Sequence, residues 1–307
     1  MSVSIPTVAP LDIPNIGYGT GTKWYKYGND ELDTNLISTL VTALKKGINH
    51  IDFAEVYNTD LEVAEAIKQS GIKRSDLFLT DKYFAGDSTY TAHSKDANPL
   101  LRLKKILSIL NTDNVDLYLL HAPFIKTETH GFSLKEAWNF MEECKEEGLA
   151  KHIGVSNFQI EELETISKDA KYKPEVNQIE FNAFLQNQTP GIVDYCQKNN
   201  ILIEAYSPLG PLYKGDLSKS AGKVFDDYIT ELADKYSVSK LQILLRWVQK
   251  KGIVPISTSS KPERMDEFLS LSKLELTDEE VKKITELGSD YKPQLRQYWK
   301  PEYSKYD

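Results

Sequence analysis

The sequence predicts an α/β chain folded as a (β/α)8 TIM barrel, with extra helices and a C-terminal loop over the barrel mouth. Three observations point there. Eight short β-rich runs alternate with longer runs of 3.6 periodicity. The short runs are nearly continuously apolar, as strands of a buried parallel sheet are. The rival doubly wound sheet would advertise a G-x-G-x-x-G loop, and Gly17-Tyr-Gly19-Thr-Gly21-Thr22 fails at the last glycine.

Strands are expected at 16–20, 50–54, 77–82, 115–121, 152–157, 176–181, 201–207 and 253–257. Between them, Leu36, Ile37, Leu40, Val41 and Leu44 share one helical face, and Leu241, Leu244, Leu245 and Val248 share another. Ser133 with Glu136, and Ser260 with Glu263, read as capping boxes, the second with Pro262 in the first turn. The gap at 208–252 holds a Gly/Ser-rich loop and an extra helix. From Thr277 one more helix is expected, then an aromatic, polar tail over 289–307. No linker divides the chain, so residues 1–307 read as a single domain, a size that α/β barrels reach as one unit.

A net charge of −8 argues against general nucleic-acid or anionic-membrane binding, while leaving room for a local basic pocket around one phosphate. Cys144 and Cys196 have no metal-ligand or CxxC spacing. Cys144 falls on a helical face with Leu134, Ala137, Trp138 and Met141, so both read as reduced packing residues in a reducing, cytoplasmic compartment. The amino-terminal stretch has no basic start followed by an apolar run, and no run approaches the ~20 apolar residues that span a bilayer.

In a barrel, chemistry sits where strands end. Here they end on Asp52, Lys82, His121, Asn157, Gln178 with Glu180, Ser207 and Ser257, and Tyr57 follows Asp52 in the next loop. Taken singly, each has an ordinary explanation: a turn cap, a solvated lysine, a satisfied core histidine. Together they form a proton-transfer set. A phenol is a poor acid at neutral pH. A neighbouring ammonium favours its phenolate and eases proton donation. Asp52 would hold a buried Lys82 charged and in place. A neutral His121 can orient a carbonyl oxygen by a hydrogen bond.

At these residues the sequence resembles the aldo-keto reductases, and the resemblance covers nearly the whole chain. GYGTGT, GINHIDFAEVY, DLYLLHAP, GLAKHIGVSNF, NQIEFN, AYSPLG and KPERMDEF carry it, in matching order and spacing. The resemblance implies an NADPH-dependent carbonyl reductase acting on small molecules, and a monomer, as many relatives are. It implies Tyr57 as proton donor, tuned by Lys82 and Asp52, with His121 orienting the carbonyl. Ser156, Asn157 and Gln178 would hold the nicotinamide carboxamide, and Tyr206 would stack on the ring. Gly19 and Thr20 would line the cofactor near its ribose, with Gly21 and Thr22 next in the same loop, and Ser207, Pro208, Leu209 and Gly210 would follow the pyrophosphate.

Three departures matter. Many relatives carry Pro-Lys-Ser after the last strand, whose lysine meets the adenosine phosphate; here Ile256 stands in its place. NADPH preference then falls to Arg264, Lys261, Lys23 or the hydroxyls of Ser257, Thr258, Ser259 and Ser260. Ala122 replaces the tryptophan often found after the histidine, which should enlarge the pocket. Asn58-Thr59-Asp60-Leu61-Glu62 replaces the usual Gly-Asn-Glu. Within the family, the GTGTKWY start and the missing lysine look most similar to yeast reductases of conjugated polyketones such as ketopantoyl lactone. Compact cyclic or vicinal dicarbonyls would then be substrates, with Trp24, Tyr25, Tyr298 and Trp299 as pocket walls. Two rivals stay open: a Schiff-base aldolase using Lys82, disfavoured because Asp52 would keep the lysine protonated, and a non-catalytic barrel that binds NADPH as a sensor or partner subunit.

Overall fold

The structure is a computed structural model that describes residues 7–218 and 220–307. The amino-terminal stretch read for a leader begins in residues outside that description, and Lys219 in the segment 208–252 is outside it too.

Eight strands are β1 (Gly17–Gly19), β2 (His50–Asp52), β3 (Phe78–Tyr83), β4 (Val115–Leu120), β5 (Ala150–Ser156), β6 (Val176–Glu180), β7 (Leu202–Tyr206) and β8 (Val254–Ser257). They close into one barrel in the order β8-β1-β2-β3-β4-β5-β6-β7. Pairing is parallel, with Gly19 beside Asp52, Asp52 beside Thr80 and Lys82 beside Leu119. Thr7–Val8 and Ile13–Pro14 form a separate antiparallel pair. The strands are buried as expected but less apolar than expected: Thr80, Asp81 and Lys82 of β3 are all wholly inaccessible. Charges in such a place need partners, and these partners organise the site.

Backbone contacts gather the chain into two compact units, Met1–Asn177 and Gln178–Asp307. In the first, helices α1 (Thr34–Lys46), α2 (Asp60–Ser70), α3 (Pro99–Leu110), α4 (Leu134–Glu146) and α5 (Ile160–Ser167) follow β1 to β5. Helix α1 starts because the Asp33 carboxylate accepts the N–H groups of Asn35 and Leu36. It stops at Gly47, whose φ of 107° suits glycine. Leu36, Ile37, Leu40 and Leu44 are buried as the periodicity requires, while Ala43 takes the buried place expected for Val41, which is half-buried. The Ser133–Glu136 capping box forms as expected. Ala137, Trp138, Met141 and Cys144 line the buried face of α4, and both cysteines are free and buried.

In the second unit, helices α6 (Ile192–Lys198), α7 (Lys240–Lys250) and α8 (Pro262–Leu269) accompany β6 to β8. The segment 208–252 carries two extra helices, a short Gly210–Lys214 and a longer Ser220–Tyr236. The Ser260–Glu263 capping box does not form. Helix α8 is capped one residue later, at Lys261, with no side-chain bond. Pro262 fixes φ for the first helical turn and so sets the start; the Lys261 N–H donates to Ser259 Oγ instead. The helix expected from Thr277 is Asp278–Ser289, closed by a Thr277–Glu280 capping box.

Candidate active site

In the first unit, Asp52 closes β2, Lys82 lies near the end of β3, and His121 follows β4. Lys82 is wholly buried; its Nζ donates to Asp52 Oδ1 at 2.6 Å and to the Phe53 carbonyl at 3.0 Å. That carboxylate keeps the lysine an ammonium, which disfavours a Schiff-base nucleophile. The same Nζ lies 5.2 Å from the centre of the Tyr57 ring. The Tyr57 hydroxyl is 3.4 Å from His121 Nε2, with the rings edge to face. Burial and the Lys82 charge hold the His121 imidazole well below the usual histidine range, so it is neutral at physiological pH. Asn157, at a left-handed φ of 63°, donates from Nδ2 to the His121 carbonyl at 2.9 Å and to Ser156 Oγ at 3.0 Å. Six sequence-predicted residues therefore form one connected polar group.

Tyr57 ends a 3-10 turn, Glu55–Tyr57, terminated by Asn58 at φ 56°. Asparagine tolerates that left-handed conformation, and Asn58 Nδ2 anchors it on the Asn29 carbonyl and Asp30. Thr20 donates its N–H to the Asp52 carbonyl at 2.9 Å and shares a hydrogen bond with Thr59. Gly21 leaves room for the phenol: a Cβ there would sit 2.9 Å from Tyr57 Cζ. Thr22 is exposed at φ 49°, and Lys23 lies over the buried ring of Trp24 at 4.5 Å. Tyr25 stands half-exposed, edge-on to Tyr57 at 6.3 Å. Tyr27 stacks on Tyr25 at 6.4 Å and meets Phe84 edge-on at 5.9 Å, two aromatic neighbours that the sequence reading missed. Tyr27 was findable two residues beyond Tyr25; Phe84 had no local signal.

The reading also missed the charges behind the turn. Arg102 of α3 is buried and bonds Asp60; Glu55 and Asp81 lie in the same cluster. Arg102 interrupts an otherwise apolar helix face, and Asp81 sits inside an apolar strand; both were visible as buried charges lacking an assigned role. The other histidines sit elsewhere: His50 bonds Thr80, His152 bonds Glu175, and His93 packs at a tilt against His130.

In the second unit, Gln178 Nε2 donates to Glu204 Oε2 at 2.8 Å, both side chains buried. The Tyr206 hydroxyl donates to Gln188, and its ring meets Tyr298 edge-on at 5.7 Å. Ser207 turns the chain at φ 54°, and the Gly210 N–H closes that turn on the Ser207 carbonyl. Pro208 and Leu209 are buried within it. Gly210 has no space for a side chain, since a Cβ would meet Gln297 Nε2 at 2.9 Å. The tail is therefore tied down. The Glu180 carboxylate accepts the N–H groups of Gln297 at 2.8 Å and Tyr298 at 3.1 Å, although burial raises its pKa to about 7. Trp299 follows at φ 52°. Ser257, Thr258, Ser259, Ser260 and Lys261 lead from β8 to α8, where the Arg264 guanidinium lies 5.9 Å over the Tyr213 ring. Ile256 is buried in β8. Among the described residues no cluster of His, Cys, Asp or Glu could hold a metal ion, and no helix is long and apolar enough to cross a membrane.

Residues 15–289 match the aldo/keto reductase family. The chain is 50% identical over 295 residues to the NADPH-dependent alpha-keto amide reductase of Saccharomyces cerevisiae, covering 94% of this chain and 91% of that protein. It is 37% identical to the NAD/NADP-dependent indole-3-acetaldehyde reductase of Schizosaccharomyces pombe, covering 90% and 92%. A Bombyx mori aldo-keto reductase solved in complex with NADP superposes with a TM-score of 0.77 at 30% identity, over 93% of each chain. A Brucella melitensis aldo/keto reductase gives 0.74 at 34% identity, over 92% of this chain and 100% of that one. The chain belongs to the aldo/keto reductase family.

Proposed function

We propose that this protein is a cytoplasmic, one-domain NADPH-dependent reductase of small dicarbonyl compounds, α-keto amides, conjugated polyketones and vicinal dicarbonyls such as ketopantoyl lactone, working as a monomer. The observation that carries the reading is the Tyr57 hydroxyl 3.4 Å from a neutral His121, beside the buried Lys82–Asp52 pair.

The side chains fit a nicotinamide dinucleotide by chemistry. In the first unit, Ser156 and Asn157 offer a hydroxyl and an amide, and in the second Gln178 offers an amide; a carboxamide needs such groups. Tyr206 offers a flat aromatic face. The left-handed turn at Ser207 presents backbone suited to a pyrophosphate. With Ile256 in the position of the usual lysine, Arg264 and Lys261 supply the cationic charge for a 2′-phosphate, beside the hydroxyls of residues 257–260. A bound nicotinamide cofactor would supply hydride to the carbonyl carbon. Tyr57 gives its proton to the carbonyl oxygen, and the Lys82 ammonium stabilises the phenolate left behind. Neutral His121 orients that oxygen, while Asp52 keeps Lys82 charged. Half-exposed Tyr25 offers an aromatic wall, whereas Ala122, expected to enlarge the pocket, is wholly buried.

Purified protein with NADPH, and separately NADH, is tested against α-keto amides, vicinal dicarbonyls including ketopantoyl lactone, and simple aldehydes. Substrate-dependent oxidation is expected with NADPH well above NADH, and fastest with the dicarbonyls. NADPH binding with silence across the panel would overturn the catalytic reading in favour of a cofactor-binding module.

A further inference from the structure

We infer that Arg102 is a positioning residue for Tyr57, acting through the two carboxylates that bracket it; this rests on the reading of Tyr57 as proton donor. Glu55 opens the turn that ends on Tyr57, and Asp60, three residues after Tyr57, opens α2. Arg102 comes from another element, α3, and is only 4% exposed. Its Nη2 donates to Asp60 Oδ2 at 2.5 Å, and its Nε lies 3.6 Å from Glu55 Oε2. One planar guanidinium therefore engages the start of the turn and the start of the helix that follows it, a geometry that a lysine's single ammonium does not reproduce.

The clamp extends to β3. Glu55 also accepts the Phe84 N–H at 2.9 Å and the Ser94 hydroxyl at 2.7 Å, and Phe84 directly follows the strand that carries Lys82. Glu55 thereby ties the turn of Tyr57 to the strand of its ammonium neighbour. Asp81, next to Lys82, is wholly buried, and neither of its oxygens has a hydrogen-bond partner of ordinary geometry among the described residues. Burial raises the pKa of Glu55, Asp60 and Asp81 alike, and the Arg102 charge opposes each rise. Without that charge, Glu55 and Asp60 would have to take up protons or separate, and the turn between them would shift. The Tyr57 hydroxyl hangs from this turn, and its 3.4 Å approach to His121 depends on the turn's position. Small displacements of a catalytic group carry large kinetic cost, ~10²-fold for ~1 Å.

The test compares Arg102→Met, Arg102→Lys, Tyr57→Phe and the Tyr57→Phe/Arg102→Met double variant by kcat and KM for NADPH oxidation, with NADPH affinity read by fluorescence. Arg102→Met is expected to lower kcat about tenfold or more with NADPH affinity within about twofold, and Arg102→Lys to recover only part. The double variant is expected to be no slower than Tyr57→Phe alone, because a positioning effect disappears with the group it positions. Additive losses, or wild-type kcat in Arg102→Met, would overturn the inference while Tyr57→Phe remained impaired. If Arg102→Met does not fold, wild-type kcat in Arg102→Lys would overturn it equally. Wild-type turnover in Tyr57→Phe would overturn the proton-donor reading itself and the inference with it.

Discussion

Asp81 shows how far a single residue can depart from what its neighbours in sequence suggest. Between Thr80 and Lys82 it reads as part of a strand end, yet burial, aided by the charges of Asp60 and Glu55, pushes its pKa up to about 8. The folded chain thus keeps a proton on Asp81 up to that pH, whereas an unfolded aspartate loses it near 3.8. The folded state binds more protons across this window, so stability falls as pH rises through it. Asp81→Asn cannot ionise and is expected to melt above the wild type at pH 8, with the gap shrinking toward pH 5, as followed by thermal unfolding. A gap that does not change with pH would contradict the assignment. At this scale Asp52, Tyr57, Lys82 and His121 were legible because each closes or follows an apolar strand. Arg102 and Asp81 stood out only as charges in apolar surroundings; their roles were not legible, because their partners lie on other elements and no local pattern reports a long-range ion pair.

At the scale of elements, the turn carrying Tyr57 is packed as tightly as it is bonded. Gly21 has an extended backbone that alanine can adopt, φ −81° and ψ −160°, so Gly21→Ala should fold. Its Cβ would nevertheless press on Tyr57 Cζ at 2.9 Å and displace the ring. Turnover is expected to fall by about tenfold or more with the melting temperature nearly unchanged; full activity would show that the ring is not held there. The tail depends on Glu180 in a comparable way. Glu180→Ala removes the acceptor for two backbone N–H groups and should expose the Arg296–Gln297 bond to trypsin at lower protease concentrations than in the wild type. Equal protection would mean that the tail is held by its other contacts, such as the Leu295 N–H on the Phe184 carbonyl and the Arg296–Asp307 pair. Helix starts were legible where capping pairs were complete, as at Ser133 and Thr277. At α8 the sequence pattern misled by one residue, because Pro262 at the first helical position outweighs the serine two places before it.

For the whole molecule, the eight-fold alternation was readable because the parallel strands are short and buried along most of their length. The two extra helices near 210–236 were only half legible, since a five-residue helix such as Gly210–Lys214 leaves no periodic signature. Chemistry in such barrels sits at the strand ends and in the loops that follow them, so the fold alone does not name a substrate. The central claim, that Tyr57 delivers the proton that completes carbonyl reduction, is tested most directly by one rate. NADPH oxidation by Tyr57→Phe with the best dicarbonyl substrate is expected to fall by ~10²–10⁴-fold while NADPH still binds; a rate equal to the wild type would contradict the claim.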